Sequence, residues 1–396
     1  MKNFQKFFFI LYFFSINFEQ WDIFNTEIDF LITKITVSLY LISTLASIKS
    51  MYSLNQIKIN VFPIFFLFSL MTLMNYLNRS SDSKYIFNIA HLMPIILLIP
   101  MYNQSIRNSK LILMGLFSFA ISVIIITLGA LIGIFSTETT GEFDGNRLTI
   151  FDNNQNDLGL RLVISIFILF FLAHKNPFKL GKFRYFYLIF FPHIFYFIVQ
   201  TGSRVAFVSL LLGFFVIYLT FNLSRWSKIV FTAPIVILTA ILIYGFFLSD
   251  TLVLSRLNSS ITDGDLSQRD LIWEASIELL YDNLLFGIGQ TGYANAISDA
   301  LFGVSLSPHN VFIEVFSYTG LFGFILFLLF IIPIVKYPFF IFFKTNNYLP
   351  MLFLIPLFGV LLSGQLFGSK TFFFIILYII VSRKCVTRPA FRAEAL

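Results

Sequence analysis

The chain predicts an all-α, polytopic membrane helix bundle, and three observations carry that reading. Hydrophobic residues make up 58% of the 396 positions, whereas charged residues make up 12%. A soluble core of this length does not need so much apolar surface, but a bundle in lipid does. The apolar residues gather into runs of about 17–25, the length that crosses a bilayer as a helix. Lys and Arg concentrate at alternate gaps between those runs, as they do where loops alternate between two sides of a membrane.

Twelve runs read as spans, near 5–20, 28–48, 60–77, 85–101, 111–135, 157–173, 185–200, 203–222, 229–248, 309–335, 348–364 and 370–382. The first is short and begins Met1-Lys2-Asn3-Phe4-Gln5-Lys6, like a secretory signal. It lacks a small-x-small cleavage site before Glu19, so it is expected to stay as an anchor. With the N-terminus cytoplasmic, 18 of the 27 Lys and Arg fall in inner segments, among them Lys49, Arg107, Lys175, Arg184, Arg225, Lys336 and Arg383. Seven lie outside (Arg79, Lys84, Arg147, Arg204, Arg256, Arg269 and Lys370), against 18 of the 20 acids. Both termini are therefore expected on the cytoplasmic side. In this setting the basic balance is a topology signal, and it does not imply nucleic acid.

No internal repeat or linker divides the chain, so 1–388 reads as one bundle domain. A water-facing loop, 249–308, is inserted between spans nine and ten. The last residues, 389–396, change abruptly to an Ala/Glu/Arg composition and read as an appended tail. The lone Cys385 falls on the inner side and forms no internal disulfide.

Two outer segments are long and polar, 136–156 and 249–308. The first ends Asp152-Asn153-Asn154-Gln155-Asn156-Asp157, where a turn and an N-cap from Asp157 are expected. Contact of Asn156 with substrate stays open. In the second, 268–286 reads as an amphipathic helix on the outer leaflet. Asp270, Glu274, Glu278 and Asp282 recur every four residues, opposite Ile272, Trp273, Ile277, Leu280 and Leu284. A solvated stripe explains those acids better than acid–base chemistry does. Arg269 opens this helix, where its charge opposes the helix dipole. That placement argues against a structural role.

Spans eight and ten begin at the outer surface, so their free amides and partial positive charge favour phosphate there. Thr201-Gly202-Ser203-Arg204 supplies a close backbone approach, a cap and a guanidinium fork for phosphate oxygens. The alternative for Arg204 is snorkelling to headgroups. Ser307-Pro308-His309-Asn310 opens span ten, with Pro308 pre-setting the helix start and Asn310 bonding within the first turn. The helix field disfavours imidazolium at His309, which suits acceptance of a proton from a hydroxyl. His91, His174 and His193 have no comparable setting. No metal motif is present, since Asp263-Gly264-Asp265 reads as a glycine turn with solvated acids. Neither a metal nor a cofactor is expected.

Four pieces now stand in order: Thr201-Gly202-Ser203-Arg204, Gln268-Arg269-Asp270-Leu271-Ile272-Trp273, Phe286-Gly287-Ile288-Gly289, and Pro308-His309-Asn310 with Gly320 and Gly323. Together they resemble the O-antigen ligase/polymerase superfamily, over roughly the second half of the chain. The resemblance implies a GT-C-like membrane glycosyltransferase that uses an undecaprenyl-diphosphate-linked oligosaccharide, without metal, at the periplasmic face. Carried over by motif, Arg204 and Arg269 would bind the diphosphate and His309 would orient or deprotonate the acceptor hydroxyl. Arg256 has no motif match and enters by loop position alone; Asn310 and Asn156 are further candidates for substrate contact.

Members of that family that act as O-antigen polymerases are often this Phe- and Ile-rich, so the resemblance leans towards a polymerase, for which a flippase and a chain-length regulator would be partners alongside membrane lipids. An Arg followed after ten residues by Gly, described in some polymerases, is absent in strict form. Arg147 to Gly159 is one residue too long, which favours the ligase. A flippase or transporter is the non-enzyme reading. Only Lys34, Arg161 and Glu314 lie within spans, and Arg161 has Asp157 one turn away as a partner, so midplane charge is sparse for a transporter.

Overall fold

The structure is a computed structural model. It describes residues 2–21, 31–55, 57–78, 93–139, 147–151, 154–220, 256, 269–300, 307–364, 366–367 and 369–387. The predicted ninth span, Asp263-Gly264-Asp265 and the 389–396 tail lie outside the described residues.

Helices come in the order α1 (Lys2–Ser15), α2 (Leu31–Leu45), α3 (Ile48–Met51), α4 (Lys58–Leu77), α5 (Met93–Arg107) and α6 (Ser109–Leu131). An antiparallel hairpin of β1 (Thr137–Thr139) and β2 (Leu148–Ile150) follows, with Thr137 opposite Ile150. Then come α7 (Gln155–Lys175), a 3-10 segment (Gly181–Phe190), α8 (Phe191–Gln200) and α9 (Arg204–Thr220). The second half adds α10 (Arg269–Asp282), α11 (Gly289–Ala300), α12 (Val311–Thr345), α13 (Leu349–Ser363) and α14 (Lys370–Thr387). The described elements are otherwise helical, as the sequence predicts, and this short hairpin is the one addition among them. Just after β2, Phe151 takes φ 57° and its ring packs against Trp21 and Phe135, which anchors that end of the hairpin.

Among the described residues, five helical stretches are long and apolar enough to cross a membrane: Asn60–Leu77, Ser109–Leu131, Gln155–Lys175, Gly181–Gln200 and Val311–Thr345. Shorter apolar helices cover Ile32–Leu45, Arg204–Thr220 and Leu349–Ser363. Twelve crossings remain the sequence-based expectation.

Buried and outward faces alternate with helical period. On α4, Leu67, Phe68 and Met71 are buried while Phe62, Phe65 and Phe66 are exposed, as expected where lipid covers the outer face. The central helix is α7, buried along nearly its whole length and packed against α6, α9 and α13. Glycines let these neighbours approach: a Cβ on Gly159 would overlap Ala206 of α9, and one on Gly359 would meet Leu160 of α7.

A break in α12 shapes the functional end. Gly320 has φ 63° and ψ −165°, so the helix that starts at Val311 is interrupted at its tenth residue. The turn after α10 plugs this gap. Leu321 N donates to Leu284 O (2.8 Å), Phe322 N to Leu285 O (3.2 Å), and Ile288 N to Ser317 O (3.1 Å). Amides and carbonyls freed by the break are thus satisfied by the loop, as buried backbone requires. Such backbone-to-backbone docking leaves no room for a Cβ at Gly287 or Gly320, and both need positive φ. That is why glycine stands at both positions.

Candidate functional site

The predicted site residues sit at helix ends that meet on one end of the bundle. They come from the starts of α7, α9 and α10, from the segment that opens α12, and from Arg256, while the end of α13 and the start of α14 lie alongside. The opposite ends of these helices carry Lys175, Lys344 and Lys384.

The start of α7 is capped by Asn154, whose Oδ1 accepts from Asn156 N (3.0 Å) and Asp157 N (3.3 Å). This corrects the expected cap at Asp157. The helix begins two residues earlier, and the Asp157 carboxylate is free to pair with Arg161 one turn on. Asn156 is held from two sides: Arg147 Nη2 (3.1 Å) and Ser203 Oγ (3.0 Å) both donate to its Oδ1. With that oxygen engaged, only its NH2 donors remain for a ligand. Arg147 also donates from Nε to Thr201 O at 2.9 Å. The hairpin is thereby tied to the turn that precedes α9.

Ser203 caps α9, accepting from Ala206 N at 3.3 Å. Arg204 opens the helix and donates to the backbone carbonyl of Arg256 at 3.0 Å. Arg269 opens α10. Its helix ends at Asp282, four residues short of the predicted end, where the chain turns into the gap of α12. Asp270, Glu274, Glu278 and Asp282 are exposed, as a solvated stripe should be. Leu271, Ile277, Leu284, Leu285 and Phe286 are also exposed. However, Ile272 and Ser276 face inward, so α10 packs on α11 and α12 rather than lying free on a surface.

His309 stands just before α12, with φ 49°. The helix starts at Val311 and is capped by Asn310, whose Oδ1 accepts from Phe312 N (3.0 Å) and Ile313 N (3.4 Å). Pro308 therefore does not set the first turn. Its carbonyl instead accepts from Trp273 Nε1 at 2.8 Å, which docks α10 against the segment carrying His309.

These pieces enclose a cavity of about 190 Å³ lined by Arg147, Arg204, Arg256, Arg269, Asn156 and His309, among others. Four guanidinium groups and an imidazole line it, and no carboxylate is among its described lining residues. Burial, then the like charges of Arg204 and Arg256, push the Arg269 guanidinium below its ordinary value. It stays charged at neutral pH nonetheless. A site with these properties is arranged for a multiply charged anion.

A second cavity of about 250 Å³ adjoins it. Asn154, Asn156 and His309 line both. The second is bounded by Glu19, Asp157, Arg161 and Lys370, a set of two acids and two cations. Arg161 is buried; it pairs with Glu19 and Asp157 and donates to Ile16 O (2.8 Å) and Thr371 Oγ1 (3.0 Å). Lys370 pairs with the other oxygen of Glu19.

Of the residues predicted from sequence, Arg204, Arg256, Arg269, Asn156 and His309 share the cationic cavity. Asn310 lines neither cavity, since its side chain is used as a cap. Sequence reasoning did not select Arg147, Asn154, Glu19 or Lys370. The usable signal for Arg147 and Lys370 was their rarity as cations on an acid-rich side.

Residues 188–328 match the protein-family model described as O-antigen ligase. No curated protein matches the chain. The matched segment supports the O-antigen ligase/polymerase superfamily and includes Arg204, Arg256, Arg269 and His309. Arg147, Asn156 and the residues bounding the second cavity lie before or after it.

Proposed function

We propose that this member of the O-antigen ligase/polymerase superfamily is a glycosyltransferase that binds a polyprenyl-diphosphate-linked glycan in the cationic cavity. The observation that carries the reading is the convergence of four arginines and His309 on one cavity, from segments far apart in the chain. Arg147, Arg204, Arg256 and Arg269 would hold the diphosphate. Their fixed charge stabilises the negative charge that develops as the lipid diphosphate leaves, which is commonly the largest single contribution in such a step.

The acceptor hydroxyl oxygen attacks the anomeric carbon of the donor's first sugar from the side opposite the diphosphate. The carbon–oxygen bond to phosphate breaks, and its electron pair departs with the lipid diphosphate. The configuration at that carbon inverts. His309 takes the hydroxyl proton, a contribution of about 10²–10⁴ in rate. Asn156, with its oxygen occupied, offers donors to phosphate or sugar oxygens between the two cavities.

Polymerisation of lipid-linked repeats is the favoured reaction, on the composition of the chain; transfer to lipid A core is the alternative. Placement in a bacterial inner membrane, with the cavities on the periplasmic side, is supported by the excess of basic residues at the opposite helix ends. A flippase and a chain-length regulator would act with a polymerase.

Purified chain in nanodiscs, supplied with a defined lipid-linked repeat with and without core oligosaccharide, tests the reading. Elongated lipid-linked glycan is expected, and Arg269→Ala should lose both product and affinity for undecaprenyl diphosphate. Elongation unchanged by Arg269→Ala and His309→Ala would sink it.

A further inference from the structure

The second cavity has a chemistry of its own. Its two carboxylates and two cations balance, in contrast to the four arginines next door. A diphosphate would meet Glu19 and Asp157 there. An uncharged polyol would instead find both donors and acceptors, with Leu160, Val360 and Phe367 as an apolar wall. Sugar rings need that combination, because their hydroxyls demand polar partners and their C–H faces do not.

The ion-pair network also fixes which group is available. The side chains of Arg161 and Glu19 are 3% and 9% exposed, but that of Asp157 is 30% exposed. Asp157 is therefore the carboxylate able to meet a ligand, and it has more acceptor positions than one guanidinium uses. The volume lies just below the usual range for small-molecule sites, about 300–1,000 Å³. That suits a single ring. Since His309 lines both cavities, a hydroxyl on such a ring can meet the same imidazole that borders the arginines.

We propose that this second cavity is the acceptor subsite, in which Asp157 and Gln20 bind the hydroxyls of one uncharged sugar ring and His309 faces the hydroxyl that attacks. The assignment rests on reading the cationic cavity as the diphosphate site. It makes Asp157 a determinant of acceptor specificity. Glu19, Arg161 and Lys370 are positioning residues that act through Asp157.

The test uses the full chain in nanodiscs with two acceptors: a lipid-linked repeat made non-transferable by a C-glycosidic link, and a lipid A core oligosaccharide. Asp157→Asn preserves shape and leaves Arg161 its pair with Glu19; Ser363→Leu fills the cavity from another lining residue. For whichever acceptor is used, both variants are expected to raise acceptor KM by about tenfold, Asp157→Asn by weakening one charge-assisted hydrogen bond and Ser363→Leu by taking up the space of the ring. Turnover at saturation should change far less, and affinity for undecaprenyl diphosphate should stay within about twofold. Unmoved acceptor KM in both variants, while Arg269→Ala still abolishes diphosphate binding, would overturn this assignment and leave the donor site standing. Intact diphosphate binding in Arg269→Ala would overturn the donor reading, and this inference with it.

Discussion

The indole Nε1 of Trp273 donates a 2.8 Å hydrogen bond to the carbonyl of Pro308, the residue immediately before His309. One bond thus couples the helix that opens with Arg269 to the segment that holds the imidazole. Two groups 40 positions apart in sequence share one frame as a result.

Trp273→Phe keeps an aromatic ring and removes that bond. Transfer is expected to fall by about 10–100-fold, because sub-ångström misplacement of a catalytic group is costly. Affinity for undecaprenyl diphosphate should hold, since the arginines are untouched. Paired measurements of turnover and binding check both halves.

His309 occupies the left-handed region at φ 49°, where a side chain costs roughly 1–2 kcal/mol relative to glycine. His309→Gly and His309→Ala should both lose transfer by about 10²–10⁴. The glycine variant should unfold at the same or a higher temperature than the alanine variant. A clearly less stable glycine variant would contradict the strained backbone.

Gly320→Ala should destabilise the chain far more than an ordinary surface change. A Cβ there overlaps the backbone of Leu285 and Phe286, and the positive φ adds its own cost. The turn would be expelled from the gap in α12, taking the end of α10 with it. Proteolysis at 283–288 and loss of transfer are the expected readouts.

Arg147→Lys retains the charge but cannot span both Thr201 O and Asn156 Oδ1, which the guanidinium fork now joins. Diphosphate affinity is expected to drop by about tenfold, roughly 1.4 kcal/mol. An affinity equal to that of the unaltered chain would limit Arg147 to a structural tie.

Glu314, buried in the first turn of α12, accepts from Leu366 N at 2.8 Å and so holds the segment between α13 and α14. Glu314→Gln keeps an acceptor and should be tolerated. Glu314→Leu leaves a buried amide unsatisfied, a cost of about 1–3 kcal/mol. Thermal unfolding of the two variants measures the difference.

Arg204, Arg269 and His309 are legible in the sequence because each breaks a local expectation. Two are cations on an acid-rich side, one of them opposing a helix dipole, and the third opens an apolar helix. The acidic stripe of α10 was equally readable from its spacing. Asn154 was harder to identify, since several Asn and Asp residues in a row compete for one cap and spacing does not rank them. The break at Gly320 was hidden inside an apolar run, because hydrophobicity continues unchanged across it. Glu19, Arg161 and Lys370 look like a loop acid, an intramembrane cation and a helix-end lysine until three distant segments are brought together.

By itself the sequence determined that the chain is built of apolar helices, that charge separates its two ends, and which motifs resemble a known family. Those properties depend on local composition and on the cost of placing charge in hydrocarbon, both of which act residue by residue. Only the tertiary structure decided that four arginines share one cavity, that Asn310 caps rather than binds, and that a balanced second cavity meets the first at His309. These outcomes depend on which helix ends are packed together, and packing couples residues that no local pattern relates.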